Sequence, residues 1–192
     1  MRATEILENE HRVIEQVLSC LEVMANRALA EGKLDVISAD AALDFFQTFA
    51  DGCHHRKEEN HLFPLMEAKG FPRDGGPTEV MLHEHEEGRK HIQGMRAAVA
   101  GGAVREFAEH ARAYVELLRN HIFKEDRRLF PMANQVFSSE DQARLTDRFE
   151  HVEEQEVEEG AHETYLDVAD MLAERFQVPR ASRTGCGCGH GH

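Results

Sequence analysis

Two stretches of the chain repeat each other at residues that can bind a metal. His54-His55-Arg56-Lys57-Glu58-Glu59-Asn60-His61-Leu62-Phe63-Pro64 aligns with His121-Ile122-Phe123-Lys124-Glu125-Asp126-Arg127-Arg128-Leu129-Phe130-Pro131. His, Lys, Glu, Leu, Phe and Pro recur at six of these eleven positions. A His and a Glu four residues apart lie on one face of a helix and can point at one object. Neutral imidazole and ionised carboxylate both ligate divalent iron, manganese or zinc. A second pair matches too: Leu7 and Met81 stand four residues before His11 and His85, and each of these histidines follows a Glu. The pattern is that of a duplicated helical hairpin offering six donors, His11, His54, Glu58, His85, His121 and Glu125. Glu58 and Glu125 can each bridge two ions, which suits a dinuclear centre in a bundle core.

A lone His-x-x-x-Glu is a weak signal, and the chain has five, at His11, His54, His55, His83 and His121. The faces separate them. His55 stacks with Asp44, Thr48, Asp51 and Glu59, and His83 with Glu79, Glu87 and Lys90, so both read as solvated rows. His54 shares its face with Phe46, Ala50 and Leu65, and His121 with Tyr114, Leu118 and Met132. A buried carboxylate without a cation is costly, so Glu58 and Glu125 need a partner. Two buried His–Glu pairs would be the blander explanation, but it gives His11 and His85 no role.

The elements that must position these residues read as helices. Residues from about 4 to 30 carry Leu7, His11, Ile14, Leu18, Leu21 and Ala25 as one stripe, ended at Gly32. A second helix is expected after Ser38 as N-cap, with Leu43, Phe46, Ala50, His54, Glu58, Leu62 and Leu65 on one face. A Pro/Gly-rich loop at 69–77 comes next. The third helix carries Met81, His85, Gly88, Ile92, Met95 and Val99. The fourth, from about 103 to 137, carries Phe107, Tyr114, Leu118, His121, Glu125, Met132 and Val136. Pro64 and Pro131 are expected to kink or end helices 2 and 4. Ser139 with Gln142 makes a capping-box pattern that opens a fifth helical region, continuing to about Phe176. The expected fold is all-α: an antiparallel four-helix bundle over 1–137, a C-terminal helical extension over 138–178, and a flexible Cys/His/Gly tail over 179–192.

Composition removes other classes. The chain has 192 residues, a formal charge of −14 and thirteen histidines. That charge argues against nucleic-acid binding, which needs a basic groove. No apolar run suits a membrane-spanning helix, and the first residues pass directly into charged sequence with no apolar leader, so a cytoplasmic location is expected. Four cysteines in this spacing are not a disulfide framework.

The residues Asn9-Glu10-His11, Cys53-His54-His55-Arg56-Lys57-Glu58-Glu59, Leu62-Phe63-Pro64, His83-Glu84-His85-Glu86 and His121-Ile122-Phe123-Lys124-Glu125 resemble the hemerythrin-like (HHE cation-binding) family over about residues 1–137. The resemblance implies a four-helix bundle around a non-haem di-iron centre, often oxo- or hydroxo-bridged. Its ligands would be His11, His54, Glu58, His85, His121 and Glu125, and its partner a small diatomic molecule or peroxide. Oxygen-carrying hemerythrins use five histidines and two carboxylates, the extra His lying four residues after the one on helix 3. Here that position is Arg89, which implies an additional open position. That favours peroxide, NO or iron-sensing chemistry over O2 carriage, with catalase-like or NO-reducing turnover as the enzymatic form.

Other readings compete with this one. A ferritin-like oxidase or storage protein would use Glu8/His11 and Glu58/His61, leaving His85 and His121 idle. An acidic helical interaction module would use the histidines only to tune charge. His151, Glu153, Glu154, Glu156 or His162 could cap a metal from outside, though a solvated face explains them more simply. Cys53 and Cys20 read as packing residues, and Tyr114 as core that could also shield the centre. Cys186, Cys188, His190 and His192 could form a softer metal site in the tail.

Overall fold

The computed structural model describes residues 1–156 and 161–182, and all regular structure among them is helical. The helix α1 is Ala3–Glu31. The rod α2 runs unbroken through an α segment Val36–Phe45, π segments Phe46–His55 and Glu58–Leu62, and an α segment Phe63–Ala68. Next come α3, Pro77–Gly101, and α4, made of Val104–Lys124, the π segment Glu125–Leu129, and Phe130–Val136. The last two helices are α5, Ser139–Glu156, and α6, Ala161–Phe176.

The helix ends follow local chemistry. Gly32 and Gly102 close α1 and α3 in the left-handed conformation, both at φ 66°, where a side chain would be strained. The cap of α2 is Asp35, not Ser38: its carboxylate accepts the Ser38 amide at 3.3 Å. The cap of α5 is Ser138, not Ser139, and its partner is Asp141, not Gln142. The Asp141 amide donates to Ser138 Oγ and the Ser138 amide to Asp141 Oδ2, a reciprocal box one residue earlier than the sequence pattern suggests. Gln142 serves α1 instead, accepting the Ala3 amide at 3.0 Å.

Short connections place successive helices side by side, so α1–α4 form the expected antiparallel bundle. Helix α4 lies between α1 and α3; α6 packs on α1 and α2, and α5 on α1 and the π segments of α2. The apolar core is in two parts. The larger holds Leu18, Leu21, Phe45, Phe46, Phe49, Tyr114 and Leu118, with Leu172 and Phe176 of α6. The smaller holds Leu7, Leu62, Phe63, Met66, Met81, Leu129 and Phe130, with Leu145 and Phe149 of α5. Between them lies a layer of histidines and carboxylates.

The π segments correct the expected faces. Each hydrogen bond in a π turn spans five residues instead of four, so the residues beyond the turn are rotated relative to their places on an α-helix. Met132 and Val136, expected inside, are 39 % and 40 % exposed; their successors Ala133 and Phe137 are buried. Pro64 and Pro131 do not end their rods. Each stands in the first turn of an α segment after a π turn closed by Phe63 N–H to Glu58 O or Phe130 N–H to Glu125 O. Cys20 and Cys53 are buried thiols, as expected of packing residues.

Phe149 is fully buried in the smaller core and joins α5 to it. Phe149→Ala is expected to destabilise the protein by about 3–5 kcal/mol, measured by denaturant unfolding. A change under about 1 kcal/mol would show that α5 does not complete this core.

Candidate metal centre

The six residues expected to ligate come together. His11, His54, His85 and His121 are at most 1 % exposed, and Glu58 and Glu125 are fully buried. Among the described residues two groups of four side chains place a ligand atom each within 4.8 Å of one another: His55, Glu58, His85 and His121; and His11, His54, Glu58 and Glu125. The sequence reading misses His55. It is 4 % exposed, its ring stacks on His85 at 3.8 Å, and it faces inward because it closes the π segment Phe46–His55. The imidazole count is therefore five, and Arg89 does not leave the centre one nitrogen short.

The carboxylates span the two groups. Glu58 stands 3.6 Å from His54 Nε2 by one oxygen and 3.4 Å from His85 Nε2 by the other. Glu125 Oε2 stands 3.3 Å from His11 Nε2 and 3.2 Å from His121 Nε2. Neither oxygen of either carboxylate has a hydrogen-bond partner, and the Nε2 atoms of His11 and His54 have none. Six such atoms in a dry core are what a cation site requires and what a self-sufficient hydrogen-bonded core avoids. His85 Nε2 and His121 Nε2 face each other at 3.1 Å. Two nitrogens each about 2.0–2.1 Å from one ion stand roughly that far apart. The residues present fit a metal.

Each imidazole is oriented from behind. His54 Nδ1 donates to Glu10 at 2.8 Å and His121 Nδ1 to Glu84 at 2.9 Å; Lys57 and Lys124 pair with those same carboxylates. His11 Nδ1 donates to Asp126 and His85 Nδ1 to Glu59, both at 2.7 Å. His55 Nδ1 meets Asp51 at 3.2 Å. A proton held on Nδ1 leaves the Nε2 lone pair for a metal. None of these five carboxylates is identified from the sequence, although Glu10 and Glu84 stand in the repeat. The two halves match closely: the His11/His54 rings lie 4.6 Å apart at 59°, the His85/His121 rings 4.8 Å apart at 57°. Phe130 stacks on His11 and Phe63 on His85, so the repeated Leu-Phe pair floors the site.

Electrostatics show the missing charge. Burial, then the charge of Glu125, pushes the Glu58 carboxyl well above its usual range. Burial acts in the same direction on Glu125, but His121 and His11 outweigh it and hold Glu125 well below. Burial would lower His121, yet Glu125 and Glu84 raise it to about 9. Burial lowers His54 to about 4. The ligands themselves are thus shifted toward binding protons: His121, Glu58 and, against its burial and under the pull of Asp126 and Glu125, His11.

The remaining candidates lie elsewhere. His83 and His151 are exposed. His61 is half-buried beside Phe149, and Glu8 belongs to neither ligand group, so the ferritin-like ligand set does not assemble. Tyr114 is buried against Phe46. The side chains of Glu153, Glu154, Glu156 and His162, and the tail Cys186–His192, lie outside the described residues.

Comparison with known proteins agrees with this geometry. The hemerythrin HHE cation-binding domain matches residues 2–133. An uncharacterized protein of Mycobacterium tuberculosis, Rv1995, is 25 % identical over 176 residues, covering 88 % of this chain and 68 % of its own. The uncharacterized protein Mb2018 of Mycobacterium bovis matches equally. No solved structure matches the chain.

His55→Ala is expected to reduce the metal bound per chain, or its affinity by about 10-fold or more, and His83→Ala to leave both unchanged, by metal analysis after dialysis; equal retention would remove His55 from the site. Metal uptake at pH 7 must displace the proton that His121 holds. It should therefore release protons and weaken as the pH falls, seen as a heat of binding that varies with the buffer's ionisation enthalpy.

Proposed function

The chain belongs to the hemerythrin HHE cation-binding family, and on that premise we propose that it holds two iron ions and binds or reacts with O2, peroxide or NO. The carrying observation is the pair of buried carboxylates, Glu58 and Glu125, whose four oxygens have no hydrogen-bond partner and each of which reaches an imidazole of both groups. Imidazole and carboxylate donors suit iron. When bound, the ions supply a reversible redox change and a coordination position for a small oxidant.

The residues of this chain do the rest. His55, His85 and His121 would hold one ion, His11 and His54 the other, with Glu58 and Glu125 shared. Where the repeat gives His55 to the first group it gives the buried Ile122 to the second, which cannot ligate. The unfilled position therefore follows from Ile122, not from Arg89. Apolar layers on both sides, including Phe63 and Phe130, exclude bulk water. Glu84 and Asp126, each with 16 % of the side chain exposed, link His121 Nδ1 and His11 Nδ1 to the surface and hold the Nδ1 protons in place as the charge of the centre changes.

This reading makes the protein a sensor, a detoxifying enzyme or an agent of iron homeostasis, working in the cytoplasm without nucleic acid or membrane; none of its described helices is long and apolar enough to cross a membrane. Cys186, Cys188, His190 and His192 would offer a second, softer site. Protein purified without chelator is expected to carry two irons per chain, absorbing between roughly 300 and 500 nm, with both lost on His54→Ala. Steady O2 release from added peroxide identifies an enzyme, and one stoichiometric spectral change a binder. A stable protein with neither iron nor this absorption would overturn the proposal.

A further inference from the structure

The two halves of the site share their repeated imidazole, carboxylate and lysine positions, and three of the positions at which they differ touch one another. In the repeat His55 corresponds to Ile122, Asp51 to Leu118, and, counted from His85 and His11, Arg89 to Glu15. Ile122 and Leu118 are both 2 % exposed, an apolar pair in the core, and Glu15 faces outward to Arg12. In the other half the corresponding residues form a chain. His55 Nδ1 meets Asp51 Oδ1 at 3.2 Å. Arg89 Nε donates to both oxygens of Asp51, at 2.9 and 3.0 Å. Arg89 Nη2 donates to Glu59 at 2.8 Å, and Glu59 accepts from His85 Nδ1 at 2.7 Å. One guanidinium thus holds both carboxylates that aim two stacked imidazoles. A planar fork of five donors can do this, and an ammonium cannot reproduce it.

We propose that Arg89 is a positioning residue that makes His55 the third imidazole of one metal position, so that the two positions of the centre differ in affinity. The inference rests on the metal centre of the preceding reading. Asp51 alone would not suffice. It is a partly exposed carboxylate on the same rod as His55, free to turn to solvent unless a cation on α3 fixes it. Arg89 supplies that cation, which also holds Asp51 at about 2 despite its burial, together with His55. The arginine that on the sequence costs the centre a ligand on α3 instead supports one on α2. Replacing such supporting partners typically weakens metal affinity about 10–100-fold.

The full chain, stripped of metal, is titrated with iron(II) without oxygen as wild type, Arg89→Ala, Arg89→Lys, His55→Ala and the Arg89→Ala/His55→Ala pair. Arg96→Ala, whose guanidinium pairs with exposed Asp44, serves as the control. Wild type and control should bind two equivalents. Arg89→Ala should keep one equivalent unchanged and bind the other about 10–100-fold more weakly. Arg89→Lys should recover only part of this, and the double variant should be no weaker than His55→Ala, because both lesions act through one imidazole. Two unchanged equivalents in Arg89→Ala would overturn the proposal. So would equal weakening of both positions alongside a lower melting temperature, the mark of a merely structural arginine. If wild type takes up no iron, the di-iron reading falls on its own; the same series with zinc(II), which accepts these donors, then decides the role of Arg89.

Discussion

Two ionisable carboxylates at the centre of a helical bundle, with no hydrogen-bond donor for any of their four oxygens, set the terms for the rest of the structure. Leaving such groups charged and unpaired in a dry core is more costly than a domain's whole margin of stability allows. The protein has two ways to meet that demand, protons or cations. Glu58 is pushed toward its neutral acid and His121 toward its cation, so protons can serve. The five imidazoles, each with a carboxylate at Nδ1, are oriented for the other answer. A core that only needed protons would not need five imidazoles aimed at one place.

Duplication supplies most of the architecture. One hairpin unit contributes an imidazole from its first helix, an imidazole and a carboxylate from its second, a Leu-Phe floor and a carboxylate–lysine pair. Two copies facing each other close the layer. The copies also exchange support: Asp126 on α4 orients His11 on α1, and Glu59 on α2 orients His85 on α3. No helix can settle into place with its imidazole aimed correctly unless its neighbour is there. Helices α5 and α6, outside the repeat, fill the two apolar layers and bury Lys57 beneath Phe149, a pairing that its counterpart Lys124 lacks. The duplicated bundle is therefore covered unequally on its two sides.

Much of this is legible in the sequence, and where the reading errs there is a single physical reason. The stripe of α1 steps by 4, 3, 4, 3, 4, the α-helical rhythm, and every member is buried. The stripe of α2 does not alternate: Phe46, Ala50, His54, Glu58 and Leu62 step by 4 four times. At about 100° per residue, sixteen residues of α-helix would leave Leu62 roughly 160° away from Phe46. A continuous buried face at that spacing requires a wider turn, and the rod provides π segments. The unbroken run of fours is thus a visible sign of π geometry. Reading it as α-helix turns His55 outward, and the same error on α4 turns Met132 and Val136 inward. The orienting carboxylates are less legible. Among thirty-six acidic residues nothing marks Asp51 or Glu59 until the helices that face them are placed.

The charges of the layer decide between the two ways of satisfying it. Glu58 and Glu125 lie inside a ring of Glu10, Asp51, Glu59, Glu84 and Asp126, seven carboxylates in all, and the basic side chains that pair with them are Arg12, Lys57, Arg89 and Lys124. Two of the three excess negative charges sit on the innermost groups, since every one of these basic side chains pairs with one of the outer five carboxylates. One divalent ion would leave that layer one charge negative, and two would leave it one positive. The metal-free layer reaches balance only by protonating groups that are themselves ligands. Protons and metal therefore compete for the same atoms, and occupancy by ions is coupled to pH by the charge count of the site. The π segments belong to this argument: they place an extra imidazole where a second ion needs a nitrogen donor and adds no further negative charge.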